Sequence, residues 1–313
     1  MVKNMKINIQ DRDLKILSGL YRYGVLSTNQ IANLFFLNIS HTTTMKRLRK
    51  IKHANFIREA HVRQNGERVW TLAKEGFSVL KKEVLFKYTN KNTIELDVLL
   101  SECRIILDEL GLGKNWISDK DEKFKNAEII PDGLFIAEVL GRPTAVAFEL
   151  ELHIKAHSRY QNLFRTYSFR HSIGFIWYVV ANKNVAKVVL NNWLKVNERY
   201  KLPQLLITSL DNLLKDKDLA QIIFSNGEKK SVKDFFLAQE TTHGVSSLEE
   251  SELSNSRNNN SENKHGFKKT PEPKGRVPSS LDHSPSTCVY IESGRRLQAQ
   301  EGSGVRNEIE GGN

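Results

Sequence analysis

Cysteine is almost missing from these 313 residues: Cys103 and Cys288 stand far apart, with no Cys-x-x-Cys and no Cys/His ligand spacing. A disulfide framework and a structural zinc site are therefore not expected, and a reduced, cytoplasmic setting fits. Long apolar runs are missing too. Ile173–Ala181, among the longest, is about half the length of a membrane span. Met1–Gln10 has no apolar core of the kind a signal peptide carries. Neither Gly-x4-Gly-Lys-Ser/Thr nor Gly-x-Ser-x-Gly occurs, so ATP hydrolysis and the nucleophile-elbow hydrolases are not expected.

What is present is unevenly placed. The formal net charge is +11, and residues 1–90 carry 17 Lys+Arg against 6 Asp+Glu, while the remaining residues carry 30 of each. The whole excess belongs to the first ninety residues. This asymmetry points to a basic module for a polyanion joined to a neutral domain. Residues 238–313 are dominated by Ser, Asn, Glu, Gly and Pro, with Phe267 and Tyr290 their only aromatics. Such a tail buries too little apolar surface to offset the entropy of ordering and reads as disordered.

Residues 10–82 read as a winged helix-turn-helix. The first helix is predicted over Asp11–Tyr23, with Leu14, Leu17, Leu20 and Tyr21 on one face. Ser27-Thr28-Asn29-Gln30 is a capping-box signature for the second. The third, over about 40–55, buries Met45, Leu48 and Ile51 and carries Lys46, Arg47, Arg49, Lys50 and Lys52 on its other faces. Asn65-Gly66 predicts a two-residue hairpin, with Arg63 and Arg68 beside its tip. A basic third helix followed by a basic-flanked hairpin matches a recognition helix with a backbone-contacting wing. Thr42, Thr43, Lys46, Arg47, Arg49 and Lys50, with Arg63 and Arg68 on the wing, are the expected DNA contacts.

The rest of the pattern is α-β-β-β-α-β-α-β. An amphipathic helix is expected over 94–111, with strands near 115–118, 129–139 and 144–152, the last two joined around Gly141-Arg142-Pro143. A helix follows over about 153–171, then a strand over 173–181, a helix over 185–200 and a strand over 205–208. This order implies an α/β fold (α+β overall), in three layers around a mixed sheet.

Pro131-Asp132-Gly133 and Phe148-Glu149-Leu150-Glu151-Leu152 carry the chemistry. On a strand, Val146, Phe148, Leu150 and Leu152 share one face, and Glu149 and Glu151 share the other with Ala145 and Ala147. Two such carboxylates lie roughly 6.5–7 Å apart. With Asp132 they form three acids expected at a sheet edge, suited to a divalent cation, Mg²⁺ or Mn²⁺. Lys155 and Arg159, expected one turn apart on the next helix, are placed to hold a scissile phosphate. The bland alternative is solvated acids on an edge strand. His153 and His157 lack the Glu of His-Glu-x-x-His, and a solvated pair is favoured over zinc. Tyr160, Tyr167 and Tyr178 sit on apolar stripes, and core packing is favoured over a nucleophilic role.

The Pro-Asp…Glu-x-Glu string and the element order resemble the PD-(D/E)XK, restriction-endonuclease-like superfamily. That resemblance implies Asp132 and Glu149 as ligands for Mg²⁺ or Mn²⁺. Glu151 stands where the superfamily has a water-activating Lys. It is then a third ligand or general base, or Lys155 supplies the cation, or the site is degenerate. An acid of the domain's first helix often completes such sites, with Glu95 and Glu102 as candidates. A winged helix over 1–88 joined to such a domain over 89–237 resembles the plasmid replication-relaxation proteins and, more narrowly, the MobC-type mobilization relaxases, which lack the His-x-His metal motif. The resemblance implies a nickase acting on double-stranded DNA at a transfer origin, with coupling or accessory mobilization proteins as partners. The alternatives are a non-catalytic regulator of replication or transcription with a degenerate nuclease-like domain, and a recombination endonuclease acting as a homodimer.

Overall fold

The computed structural model describes residues 7–82, 93–118 and 130–237. The expected tail over 238–313, the charged turn over 119–125 and the strand start at Ile129 lie outside them. The protein is mixed α/β. Among the described residues no helix is long and apolar enough to cross a membrane.

The N-terminal part contains α1 (Asp11–Tyr23), β1 (Leu26–Ser27), α2 (Thr28–Phe35), α3 (His41–His53), β2 (Ile57–Val62), β3 (Arg68–Leu72) and α4 (Lys74–Val79). Helix starts follow local chemistry. The Gln10 N–H donates to Asp13 Oδ2 at 2.9 Å. Ser27 Oγ accepts from the Gln30 N–H at 3.2 Å, and Gln30 Oε1 accepts from the Ser27 N–H at 2.8 Å, as the capping box predicts. Ile16, Leu17, Leu20, Ile31, Leu48, Ile51 and Trp70 close one core between these helices and the β1-β3-β2 sheet.

The hairpin turn differs from the expectation. The Arg63 N–H donates to Glu67 O at 2.8 Å and the Gly66 N–H to Arg63 O at 2.9 Å, closing a three-residue loop rather than a two-residue one. Only Gly66, at φ 80°, is left-handed there, whereas a two-residue type I′ turn needs both central residues so. That geometry occurs instead at Leu140-Gly141, φ 52° and 69°, between the paired residues Val139 and Arg142. Arg142 and Pro143, expected in the turn, therefore belong to the strand.

The larger part runs α5 (Ile94–Glu109), β4 (Ile117–Ser118), β5 (Gly133–Val139), β6 (Arg142–Glu151), α6 (His157–Ser168), β7 (Ile173–Val180), α7 (Lys183–Asn197), β8 (Gln204–Ser209), α8 (Leu210–Asp216), β9 (Gln221–Phe224) and β10 (Lys229–Ser231). The seven strands order β10-β9-β8-β7-β6-β5-β4. β6, β7 and β8 are parallel neighbours linked through α6 and α7, and the flanking pairs are antiparallel. Alternation along β6 divides the two faces. Val146, Phe148 and Leu150 join α5 and α8 in one core, and Ala147 joins α6 and α7 in the other.

α5 is buried on two sides, not one. Cys103, Ile106 and Leu107 face the large sheet, while Ile105, Ile94 and Val98 enter the cores of the N-terminal part. Arg22 grips Asp108 with two bonds of 2.6 and 2.5 Å across this contact, and the described residues belong to one compact unit.

Gly133 is required by close approach. A Cβ there would lie 1.9 Å from Trp116 Cζ2, and that indole is stacked on Phe135 with ring centroids 5.9 Å apart. Gly133→Ala is expected to cost about 1–3 kcal/mol through this overpacking, read as a lower urea midpoint at unchanged slope.

Candidate functional site

Glu149 and Glu151 end β6, at the C-terminal end of its parallel pairing with β7, where α/β sheets place their ligands. The acids are not at a sheet edge: β6 lies between β5 and β7, and Glu149 and Glu151 are 9% and 3% exposed. Asp132 sits just before β5 rather than in a strand, and its Oδ2 accepts the Leu150 N–H at 2.8 Å. That bond ties Asp132 to the backbone between the two glutamates.

Buried carboxylates need donors. The Tyr167 hydroxyl of α6 donates to Glu149 Oε1 at 2.5 Å. Lys155 Nζ lies 2.8 Å from Glu151 Oε2. Burial, with the Asp132 charge second, pushes the Glu149 carboxyl up to about 8; the Tyr167 bond and Lys155 act the other way. Burial, then Glu149, holds both Tyr167 and Tyr178 firmly protonated. Tyr178 pairs in register with Glu149 across β6 and β7. Its hydroxyl is buried with no hydrogen-bond partner among the described residues. Tyr160 joins the group, its oxygen accepting the Lys155 N–H at 3.2 Å.

α6 begins at His157, later than expected. Lys155 therefore lies in the segment before the helix, not one helical turn from Arg159, and turns back to Glu151. Arg159 is exposed in the first turn of α6. His153 also precedes the helix, and His157 Nδ1 lies 3.1 Å from Asn192 Oδ1, so the two histidines do not share a helix face. Glu95 and Glu102 do not join the acids. Glu95 pairs with Arg63 at 2.7 Å, and Glu102 accepts from Gln30 Nε2 at 2.6 Å beside a cleft of about 310 Å³ between α2 and α5.

Among the described residues no group of three His, Cys, Asp or Glu side chains is arranged to hold a metal ion. In donor type and charge the acids do suit one. Asp132, Glu149 and Glu151 offer only oxygens, as Mg²⁺ and Mn²⁺ prefer. Burial raises Glu149 most, and the Asp132 charge that adds to it is what a bound cation would relieve.

On α3, Thr42, Lys46, Arg49, Lys50 and His53 are exposed at helical spacing and form one face. Thr43 is exposed, but its N–H is bound by the N-cap Ser40 Oγ at 3.3 Å. Arg47 departs from its expected place. It turns inward onto the fully buried Asp13, with Nε 2.8 Å from Oδ1 and a second bond from the other nitrogen. The hairpin arginines are also engaged: Arg63 by Glu67 and Glu95, and Arg68 by Glu59 at 2.5 Å. Of the cations expected to contact DNA here, Lys46, Arg49 and Lys50 on α3 are exposed, while Lys15, Lys74, Lys81 and Lys82 add exposed charge elsewhere in this part.

The tyrosines pack in the core as their apolar stripes predicted; what the sequence reading missed is the Tyr167 hydrogen bond to Glu149 and the buried Asp13. Two acids on a strand face covered by an aromatic helix signal a need for hydroxyl donors. An acid in register with Ile16, Leu17 and Leu20 signals a buried partner.

Compared with protein-family models, curated proteins and solved structures, the chain matches none.

Proposed function

We propose that this chain is a DNA-targeted, divalent-metal-dependent phosphodiesterase that nicks one strand at an origin-like site, in the manner of MobC-type relaxases. On this reading residues 1–88 are a winged helix and residues 89–237 a restriction-endonuclease-like domain. One arrangement carries the reading: Asp132, Glu149 and Glu151 gathered at the end of β6, with Lys155 drawn onto Glu151 where a Glu-x-Lys site would have its lysine.

The α3 face of Thr42, Lys46, Arg49 and Lys50 would lie on the DNA, releasing counterions and making binding steeply salt-dependent. Asp132, Glu149 and Glu151 would hold the cation. A divalent ion supplies charge stabilisation at a phosphate oxygen and activation of water. Tyr167 fixes the Glu149 carboxyl. Lys155 and Arg159 bind the sugar-phosphate backbone, and Lys155 can pass from Glu151 to a phosphate when DNA arrives.

A specific observation favours a second reading, a non-catalytic regulator. Each acid already has an internal partner, and Glu149 holds its proton near neutral pH. Supercoiled plasmid bearing the cognate origin separates the two. Wild type is expected to relax it with Mg²⁺ or Mn²⁺, while Glu149→Ala loses relaxation and keeps DNA binding. Equal relaxation by both proteins, or by neither with either metal, would sink the catalytic reading.

A further inference from the structure

The Tyr178 hydroxyl is the one group around the acids that the protein leaves without a hydrogen bond among the described residues. The side chain is only 1% exposed. Burying an O–H with no acceptor is costly, and such groups are rare in folded proteins. Nothing about packing requires the oxygen here. The ring alone serves the α6/α7 core, against Phe164 at 6.0 Å between centroids, and Phe would fill that space. Placement adds to this. Tyr178 stands beside Glu149 in the sheet, and Glu149, Glu151, Tyr160 and Asp132 are the groups whose fields reach its hydroxyl. Tyr167, by contrast, spends its hydroxyl on Glu149.

Resting on the reading of the acids as a cation site, we infer that Tyr178 is a positioning residue whose hydroxyl hydrogen-bonds the water shell of a divalent cation held by Asp132, Glu149 and Glu151. Mg²⁺ and Mn²⁺ sites built from few carboxylates keep several waters, and those waters need oriented partners inside a buried site. The two tyrosines then divide the work: Tyr167 orients a ligand, and Tyr178 orients the water beside it.

Isothermal titration of the full chain with Mn²⁺, with melting temperatures of the metal-free proteins, tests this. Tyr178→Phe is expected to melt at or above the wild-type temperature without metal, because an unbonded hydroxyl is removed, and to bind Mn²⁺ about tenfold more weakly. Tyr167→Phe is expected to melt lower without metal. Wild-type Mn²⁺ affinity in Tyr178→Phe would overturn the inference and leave the cation site standing. A melting temperature several degrees lower in metal-free Tyr178→Phe would also overturn it, by showing that the hydroxyl already has a partner. Absence of Mn²⁺ binding by wild type would remove the cation site and this inference together.

Discussion

Asp13→Ala is expected to lower stability by about 3–5 kcal/mol, the cost of stranding a buried charge by removing its partner. Asp13 is fully buried and the Arg47 side chain only 15% exposed. Burial alone would raise the Asp13 carboxyl, yet the Arg47 guanidinium and the Gln10 N–H outweigh it and hold the carboxyl below its ordinary range. The substitution leaves the guanidinium only the Asn8 carbonyl and takes the acceptor from the first turn of α1. Asp13→Asn keeps an acceptor for the cap but not the charge, and should fall between. Asp13→Leu combined with Arg47→Met should regain much of the loss, since apolar replacement of a buried pair is often tolerated. Urea unfolding of the four proteins checks the order. If Asp13→Ala unfolds within about 1 kcal/mol of wild type, the pair behaves as a surface ion pair and Arg47 returns to the set of proposed DNA contacts.

Stability should also fall steeply with rising pH because of Glu149. Its carboxyl is raised from 4.5 to about 8 in the folded protein, by burial first and by Asp132 second. Between those values the folded chain keeps a proton that the unfolded chain has released, so the contribution is complete below pH 4.5 and gone above about pH 8. A shift of this size corresponds to on the order of 4–5 kcal/mol. Glu149→Gln keeps an acceptor for Tyr167 and should flatten the melting temperature across that window. The explanation fails if Glu149→Gln and wild type lose stability in parallel from pH 5 to 9. If the acids hold a cation as proposed, Mn²⁺ added at the alkaline end should restore wild type more than Glu149→Gln, because the cation would take the proton's place on the carboxylate.

The elements most readable in the sequence were those set by local rules. α1 spans the residues its apolar period marks, and Ser27 and Gln30 cap α2 as their spacing requires. Alternation along 146–152 placed Phe148 and Leu150 opposite Glu149. Helix-pattern reasoning was less reliable where tertiary contacts compete. α5 reads as amphipathic, yet it is buried on two sides because two cores share it. The segment over 153–156 has helix-compatible residues but stays outside α6, with Lys155 held by Glu151 and by the Tyr160 oxygen. The β9–β10 hairpin extends the sheet, and α8 precedes it, beyond the expected order.

The sequence by itself determined which residues carry charge and which faces alternate, because periodicities of 3.6 and 2 are properties of the local backbone. From these came the basic α3 and the pair of glutamates on one strand face. Only the tertiary structure decided which of those charges are spoken for. Arg47 is taken by an acid thirty-four residues earlier, Arg63 by an acid on α5, and Glu149 by a tyrosine on the helix above it. A charge's partner depends on which element packs against it and at what depth, and burial makes that pairing worth several times what it would be in water.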